Sequence, residues 1–206
     1  MTSSTRPRPA WLPKPVLRGE LVTLRPFVRD DAVTMAALLA DPELLKFTGS
    51  VDSTAAALAV APTPDAKTID WYASRSVQDD RLDLGIVDNA SGQLVGETVL
   101  NEWDAERSSA NFRILIGAAG RNRGLGTEAT RLTVGYGFEQ LGLSRITLGV
   151  FVFNPRAVRA YRKAGFVQER VNPGAFTFDG EPVDEIVMAI SAQDWERHRG
   201  RPAVVG

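Results

Sequence analysis

The segment Arg121-Asn122-Arg123-Gly124-Leu125-Gly126-Thr127 lies between a predicted strand and a predicted helix. Two glycines let the backbone turn tightly, so several amide N–H groups can point into one concavity. The helix that follows adds its free N–H groups and the positive end of its dipole. Such a loop can seat a phosphate or pyrophosphate, with Arg121 and Arg123 adding charge. The alternative is a basic surface loop closed by a glycine cap. Gly124-x-Gly126-x-x-Ala129 also satisfies the dinucleotide fingerprint, which expects an acidic residue ~20 positions on at the end of the next strand. There the chain reads Phe151-Val-Phe-Asn154, and it contains no Gly-Lys pair for a kinase-type phosphate loop. NAD and ATP by those routes are disfavoured.

Glu97 is the second chemical candidate. It follows Gly96 inside an otherwise apolar strand pattern, where an unpaired carboxylate would be costly. Either its side of the strand is solvated or the carboxylate has work to do.

The elements that must position these residues follow from periodicity and turn chemistry. Residues 1–15 carry four prolines and three basic residues and read as a flexible or loosely docked tail. A strand is predicted over 21–26. A helix capped by Asp30 or Asp31 runs to Ala40, where Asp41-Pro42 ends or redirects it. Residues 48–68 carry no clean pattern, and a second helix is predicted over 66–78. Residues 82–88 and 94–101 flank Asn89-Ala-Ser-Gly92 and predict a hairpin. A strand over 110–117 enters the glycine-rich loop, a helix over 127–141 leaves it, and 145–153 is a strand. Asn154 caps a helix with Pro155 at its first position, stopped by Gly165. Residues 166–171 and 183–190 close as strands around the Asp179-Gly180 turn. Helices interleaved with a mostly antiparallel sheet predict a single α/β (α+β) domain over 16–198, with 199–206 as a C-terminal tail.

Composition narrows the chemistry. The 206 residues include no cysteine, which excludes disulfides, thiol nucleophiles, iron–sulfur centres and Cys-ligated zinc. One histidine, His198, stands between Arg197 and Arg199, so no multi-histidine metal site can exist and no metal is expected. Lys plus Arg total 24 against 25 for Asp plus Glu, a net charge of −1; no nucleic-acid partner is expected on that balance. The first twenty residues lack a signal-peptide apolar stretch, and the longest apolar run, 55–61, is too short to span a bilayer. A soluble, cytoplasmic protein with no membrane partner is the expectation.

A second motif follows the loop by about 30 residues: Asn154-x-x-Ala157-x-x-x-Tyr161-x-x-x-Gly165-Phe166 after the next strand. Together with Arg121-x-x-Gly124-x-Gly126 opening a helix, it resembles the GNAT superfamily of acyl-CoA-dependent N-acyltransferases. The likeness extends through most of 16–195. The opening Leu17-x-Gly19-x-x-Val22-x-Leu24-Arg25-Pro26 is similar to the RimJ/RimL branch, which acetylates protein N-termini and resembles many small-molecule acetyltransferases.

The resemblance implies a GNAT fold whose sheet splits into a V between the 110–117 and 145–153 strands. Acetyl-CoA would be the acyl donor. Its pantetheine would pair with the backbone of Ile114, Leu115 and Ile116, and its pyrophosphate would meet the amides of Arg121, Asn122, Arg123, Gly124, Leu125, Gly126 and Thr127. Asn154, beside Ala157, would contact the pantetheine arm, and Tyr161 would lie near the thioester sulfur. Acetyl transfer to an amine needs a neutral amine, a polarised carbonyl and a proton for the departing thiolate. Tyr161 could supply that proton, and the N–H of Leu115 or Ile116 could bind the oxyanion. Many RimJ/RimL-like chains carry a Glu where this one has Asn111, which leaves Glu97, Glu102, Asp104 or a water wire for the base. Glu97 is the first choice. Asn154 and Tyr161 complete the catalytic candidates.

The acceptor is then a protein or peptide N-terminal amine, or a small-molecule amine. Succinyl-CoA is an alternative donor, and a non-catalytic CoA sensor or partner-binding module on a GNAT scaffold is the alternative function. Homodimerisation, common among relatives, has no identifiable patch. Trp71, Tyr72 and Trp103 belong either to an acceptor pocket or to the core.

Overall fold

A computed structural model describes residues 8–199. Its strands are β1 (Leu17–Arg18), β2 (Val22–Arg25), β3 (Leu82–Asp88), β4 (Leu94–Asp104), β5 (Ser109–Ile116), β6 (Arg145–Phe151), β7 (Val167–Phe178) and β8 (Glu181–Ser191). They form one sheet in the order β1-β2-β3-β4-β5-β6-β8-β7. Every neighbouring pair is antiparallel except β5–β6, which is parallel and joined only through Ser109–Arg145, Ala110–Ile146 and Asn111–Thr147. Beyond Asn111, β5 stays paired with β4 as far as Ile116, and β6 stays paired with β8 as far as Phe151. The sheet therefore opens into a V at the predicted place, within the expected α/β class.

Helices α1 (Asp31–Leu39), α2 (Pro42–Thr48), α3 (Thr54–Leu58) and α4 (Ala66–Ser74) precede β3; α5 (Leu125–Glu139), α6 (Pro155–Lys163) and α7 (Ala192–Arg199) follow β5, β6 and β8. Asp41-Pro42 does not merely end α1. The Asp41 carboxylate accepts from the Glu43 N–H at 2.9 Å and Pro42 opens α2, an N-cap with proline at the first turn. The main core joins Leu84, Leu100 and Phe112 of the sheet to Leu125 and Ala129 of α5 and to Tyr161 and Phe166 at α6. A second, smaller cluster seats Tyr72 of α4 against Phe27 and Met35.

One boundary differs from expectation. Residues 8–15 are docked, not loose: Trp11 is 2% exposed within the main core, and the Lys14 ammonium donates to the Gln78 carbonyl at 2.6 Å and to the Arg81 carbonyl. Segment composition hid this, because one indole buries ~150–250 Å², worth several kcal/mol at ~25 cal/mol per Å². At the other end α7, with Trp195 buried, closes the expected domain and runs one residue past 198. The rest of the tail expectations, residues 1–7 and 200–206, lie outside the described residues.

Candidate active site

A cavity of about 660 Å³ occupies the V. One end is built for an anion. Between β5 and α5 the backbone turns through Asn122 at φ 60° and Gly124 at φ 82°; the second value is one that only glycine adopts cheaply. Among the described residues no backbone acceptor takes the N–H groups of Asn122, Arg123, Gly124, Leu125 or Gly126, while Thr127 and Glu128 already bond to the Gly124 carbonyl. These free donors gather at the start of α5, beside the positive end of its dipole. Arg156, Arg159 and Lys163 of α6 also line the cavity.

The arginines of the loop itself are committed elsewhere. Arg121 donates through Nε to the Ile116 carbonyl at 3.0 Å and through Nη2 to Asp41 at 2.9 Å, and it pairs with Glu43. It thus ties α2 to the loop. Arg123 lies outside the cavity, with its guanidinium on Asp88 at 2.8 Å. Leu125 sends its side chain into the core, 1% exposed, leaving only its amide to the loop. Two side chains expected at the anion, Arg121 and Arg123, are therefore replaced by amides, because Asp41, Glu43 and the buried Asp88 claim them.

The splayed stretch of β5 offers an unpaired edge. The Gly117 N–H bonds to the Val95 carbonyl at 2.9 Å. Because donors alternate along a strand, the Leu115 N–H also points to β4, while those of Ile114 and Ile116 face the gap. Of the two amides considered for an oxyanion, Leu115 is spent in the ladder and Ile116 is available. Across the gap, Asn154 caps α6 by accepting from Ala157 N–H at 3.1 Å; that bond uses its oxygen and leaves the amide NH₂ to donate. Ala157 and Tyr161 also line the cavity.

Tyr161 is 7% exposed and stands edge-on to Phe112, centroids 6.3 Å apart. Burial pushes its phenol well above the ordinary tyrosine value, which keeps it a proton donor at neutral pH.

The cavity is also lined by carboxylates. Glu97 of β4 sits opposite Leu115 and opposite Gly85 of β3. Burial pushes its carboxyl up to about 7; the nearby Asp83 charge adds to the rise, while Arg113, Arg81 and Arg75 pull back. Glu102 reaches the cavity from a bulge where the β4–β5 register shifts, at φ 54°. Asp104, also considered as a base, is turned away onto Arg107 at 2.9 Å. Asn111, where a strand-borne carboxylate was sought, donates to Asn101 at 3.3 Å.

Several lining residues carried no sequence signal. Leu44, Phe47 and Thr48 come from α2, and Phe151 and Glu185 from the β6–β8 side. The Glu185 carboxylate packs directly over Gly149, which has no Cβ to displace it, and accepts from Asn172 at 2.9 Å. The aromatics suspected from sequence are not there. Tyr72 packs on Phe27 at 5.1 Å, Trp103 packs against the core, and Trp71 lies under Arg75 at 3.6 Å. His198 bonds to the Lys163 carbonyl at 3.0 Å, away from the cavity. Among the described residues no cluster of metal-ligating side chains occurs, and no helix is long and apolar enough to cross a membrane.

Comparison with known proteins places this architecture. Residues 22–167 match the family model of the acetyltransferase (GNAT) domain. The chain is 31% identical over 132 residues to a probable N-acetyltransferase, YjcK, of Bacillus subtilis, covering 64% of this chain and 73% of that protein. It is 32% identical over 111 residues to the spermidine N(1)-acetyltransferase of Escherichia coli K12, covering 54% of this chain and 60% of that protein. In fold it is similar to the spermidine N-acetyltransferase of Vibrio cholerae solved with CoA and spermine, with a TM-score of 0.72, 23% identity, 86% of this chain and 99% of that one.

Proposed function

Because this chain belongs to the GNAT acetyltransferase family, we propose that it transfers the acetyl group of acetyl-CoA to a primary amine by direct attack, with donor and acceptor bound together in the V of the sheet. The observation that carries this reading is one cavity lined both by the loop with its unshared amides and by Glu97, its carboxyl at about 7. The unshared loop amides, the open edge of β5 and the Asn154 amide fit a pyrophosphate and a pantetheine arm. The donor supplies an acetyl thioester, whose C–S bond breaks as the C–N bond to the acceptor forms.

The chain's own residues do the rest. Glu97 takes the acceptor's proton, directly or through a water, because a base titrating near the working pH combines availability with driving force. The Ile116 N–H is fixed by the ladder on its other side and can donate to the developing oxyanion without reorganising. Tyr161 gives its phenolic proton to the leaving sulfur and is reprotonated from solvent. With no cysteine in the chain, a thiol acyl-enzyme has no nucleophile.

Two finer assignments belong to this proposal. The acceptor is a cationic amine, with a small polyamine-like molecule favoured over a protein N-terminus. Glu97, Glu102 and Glu185 contribute negative charge to the cavity lining, and two relatives are named for spermidine. The RimJ/RimL-like placement rests on the 17–26 opening, the hairpin with Gly96, the Asp179-Gly180 turn and Val187-Met188, and a single domain over 16–198 acting in the cytoplasm completes the reading.

Thermal unfolding with acetyl-CoA, and with succinyl-CoA, NADH and ATP beside it, tests the donor site. Ligand at 100 times its dissociation constant adds ~2.7 kcal/mol, so a clear upward shift with acetyl-CoA is expected. No shift with either CoA ester at saturation overturns the loop assignment and the enzyme reading with it. A CoA sensor would shift equally but release no free CoA when amines are added.

A further inference from the structure

Glu97 does not stand alone on its strand. In the antiparallel register, Asp83 of β3 faces Val99 and Gly85 faces Glu97, so Asp83 and Glu97 are diagonal neighbours on the same face of adjacent strands. Asp83 is 2% exposed. Both its oxygens are gripped by Arg81, at 3.0 and 2.7 Å from Nε and 2.7 Å from Nη2, so its charge cannot swing away. Burying an ion pair within a sheet is expensive, and a well-packed apolar pair would serve stability at least as well. Its placement beside the reactive carboxylate calls for another explanation.

We infer that Asp83 is a positioning residue for acetyl transfer: a fixed negative charge on the neighbouring strand that sets how tightly Glu97 holds the proton it takes from the acceptor. The inference rests on the reading of Glu97 as the base. Asp83 opposes ionisation of Glu97 and Arg81 tempers that opposition, Asp83 being the stronger influence. The other groups facing Glu97 are Arg113 from β5, Arg75 from the turn after α4, and Tyr72 from α4 itself. Glu102 and Glu185 share its cavity.

The test is the pH dependence of kcat/KM for the wild type, Asp83→Asn, Arg81→Gln and Glu97→Gln, with the acceptor amine held constant so that its own titration is common to all. The wild type should show an acid limb near pH 7. A unit charge at the ~7 Å separation of diagonal neighbours, partly offset by Arg81, moves that limb by about one pH unit. Asp83→Asn should therefore lower the limb by about one unit, raising relative kcat/KM at pH 6 about fivefold. Arg81→Gln should move it the other way, which keeps the inference falsifiable if Asp83→Asn folds poorly. A readout independent of turnover is the fall in folding stability between pH 5 and 8 in urea, which Asp83→Asn should flatten. A limb that stays in place in both Asp83→Asn and Arg81→Gln, while vanishing in Glu97→Gln, overturns the role of Asp83 alone. A wild-type limb in Glu97→Gln overturns the base assignment, and the inference falls with it.

Discussion

Replacing Glu97 by Gln gives two readouts that must agree. The carboxyl is held at about 7 against an ordinary 4.5, a rise of ~2.5 units worth about 3 kcal/mol at ~1.4 kcal/mol per unit. The sign follows from proton counting. Between those two values the folded chain keeps a proton that the unfolded chain has released, so folding stability falls as pH rises. The favourable state is complete below the unfolded value and is lost as pH passes the folded one. Gln does not titrate. Between pH 5 and pH 8 the wild type should therefore lose about 2–3 kcal/mol relative to Glu97→Gln, a difference of ~5–10 °C in Tm for a chain of this size. Urea unfolding of both proteins across that range measures it. In the same variant, loss of a general base should cut kcat/KM at pH 8 by ~10²-fold or more and erase the acid limb. Stability curves that stay parallel across the range would refute the raised carboxyl. A converging pair with undiminished turnover would keep the carboxyl and refute its role.

Tyr161→Phe should reduce kcat by ~10²-fold with acetyl-CoA affinity kept within about twofold by calorimetry; its stability cost should stay under ~1 kcal/mol, since the phenol has no hydrogen-bond partner among the described residues to lose. Glu128, in the first turn of α5, accepts from the N–H groups of Glu20, Leu21 and Val22 at 3.0, 2.7 and 2.8 Å. Glu128→Ala should cost about 2 kcal/mol in urea unfolding, and a loss under ~0.5 kcal/mol would mean water replaces those bonds freely. Arg121→Met frees α2, which carries Leu44, Phe47 and Thr48 into the cavity; acceptor KM should rise on the order of tenfold with kcat changed less than about threefold. An equal fall in acetyl-CoA affinity alone would return Arg121 to the anion.

What the sequence made legible was local. Glycine at positive φ, an Asn-Pro helix start and alternating strands write their geometry into neighbouring residues, so the loop, α6 and the β3–β4 hairpin could be placed. Where residues from distant segments meet, local pattern is silent. Nothing near Arg123 reveals that Asp88, 35 positions earlier, will take its guanidinium. Nothing near Glu185 says that Gly149 will leave room for its carboxylate. Phe47 and Thr48 were missed because α2 is a seven-residue helix, too short for periodicity to register. Trp11 was lost in a proline-rich segment whose average composition outweighed one large apolar residue.

The meeting of donor and acceptor sites follows from topology more than from any single motif. Two parallel neighbours need a crossover, and the crossover must leave from the C-terminal end of the first strand. In this sheet the parallel pair is β5–β6, so the free amides that open α5 and the Asn154 cap that opens α6 arise at the same end of the sheet. Ligands in open α/β sheets gather at such ends for that reason. The pair separates after Asn111, which frees the β5 edge between those two helix starts. Glu97 lies opposite Leu115, one residue from the available Ile116 amide, so a carboxylate on β4 is brought to the mouth of the gap by register alone. A one-residue slip of β4 against β5 would turn Glu97 to the opposite face. Gly96 guards that register, because a Cβ there would strike the Leu115 carbonyl. Gly96→Ala should therefore impair turnover beyond what its loss of stability explains, and an active, stable Gly96→Ala would show that β4 can shift without moving the base.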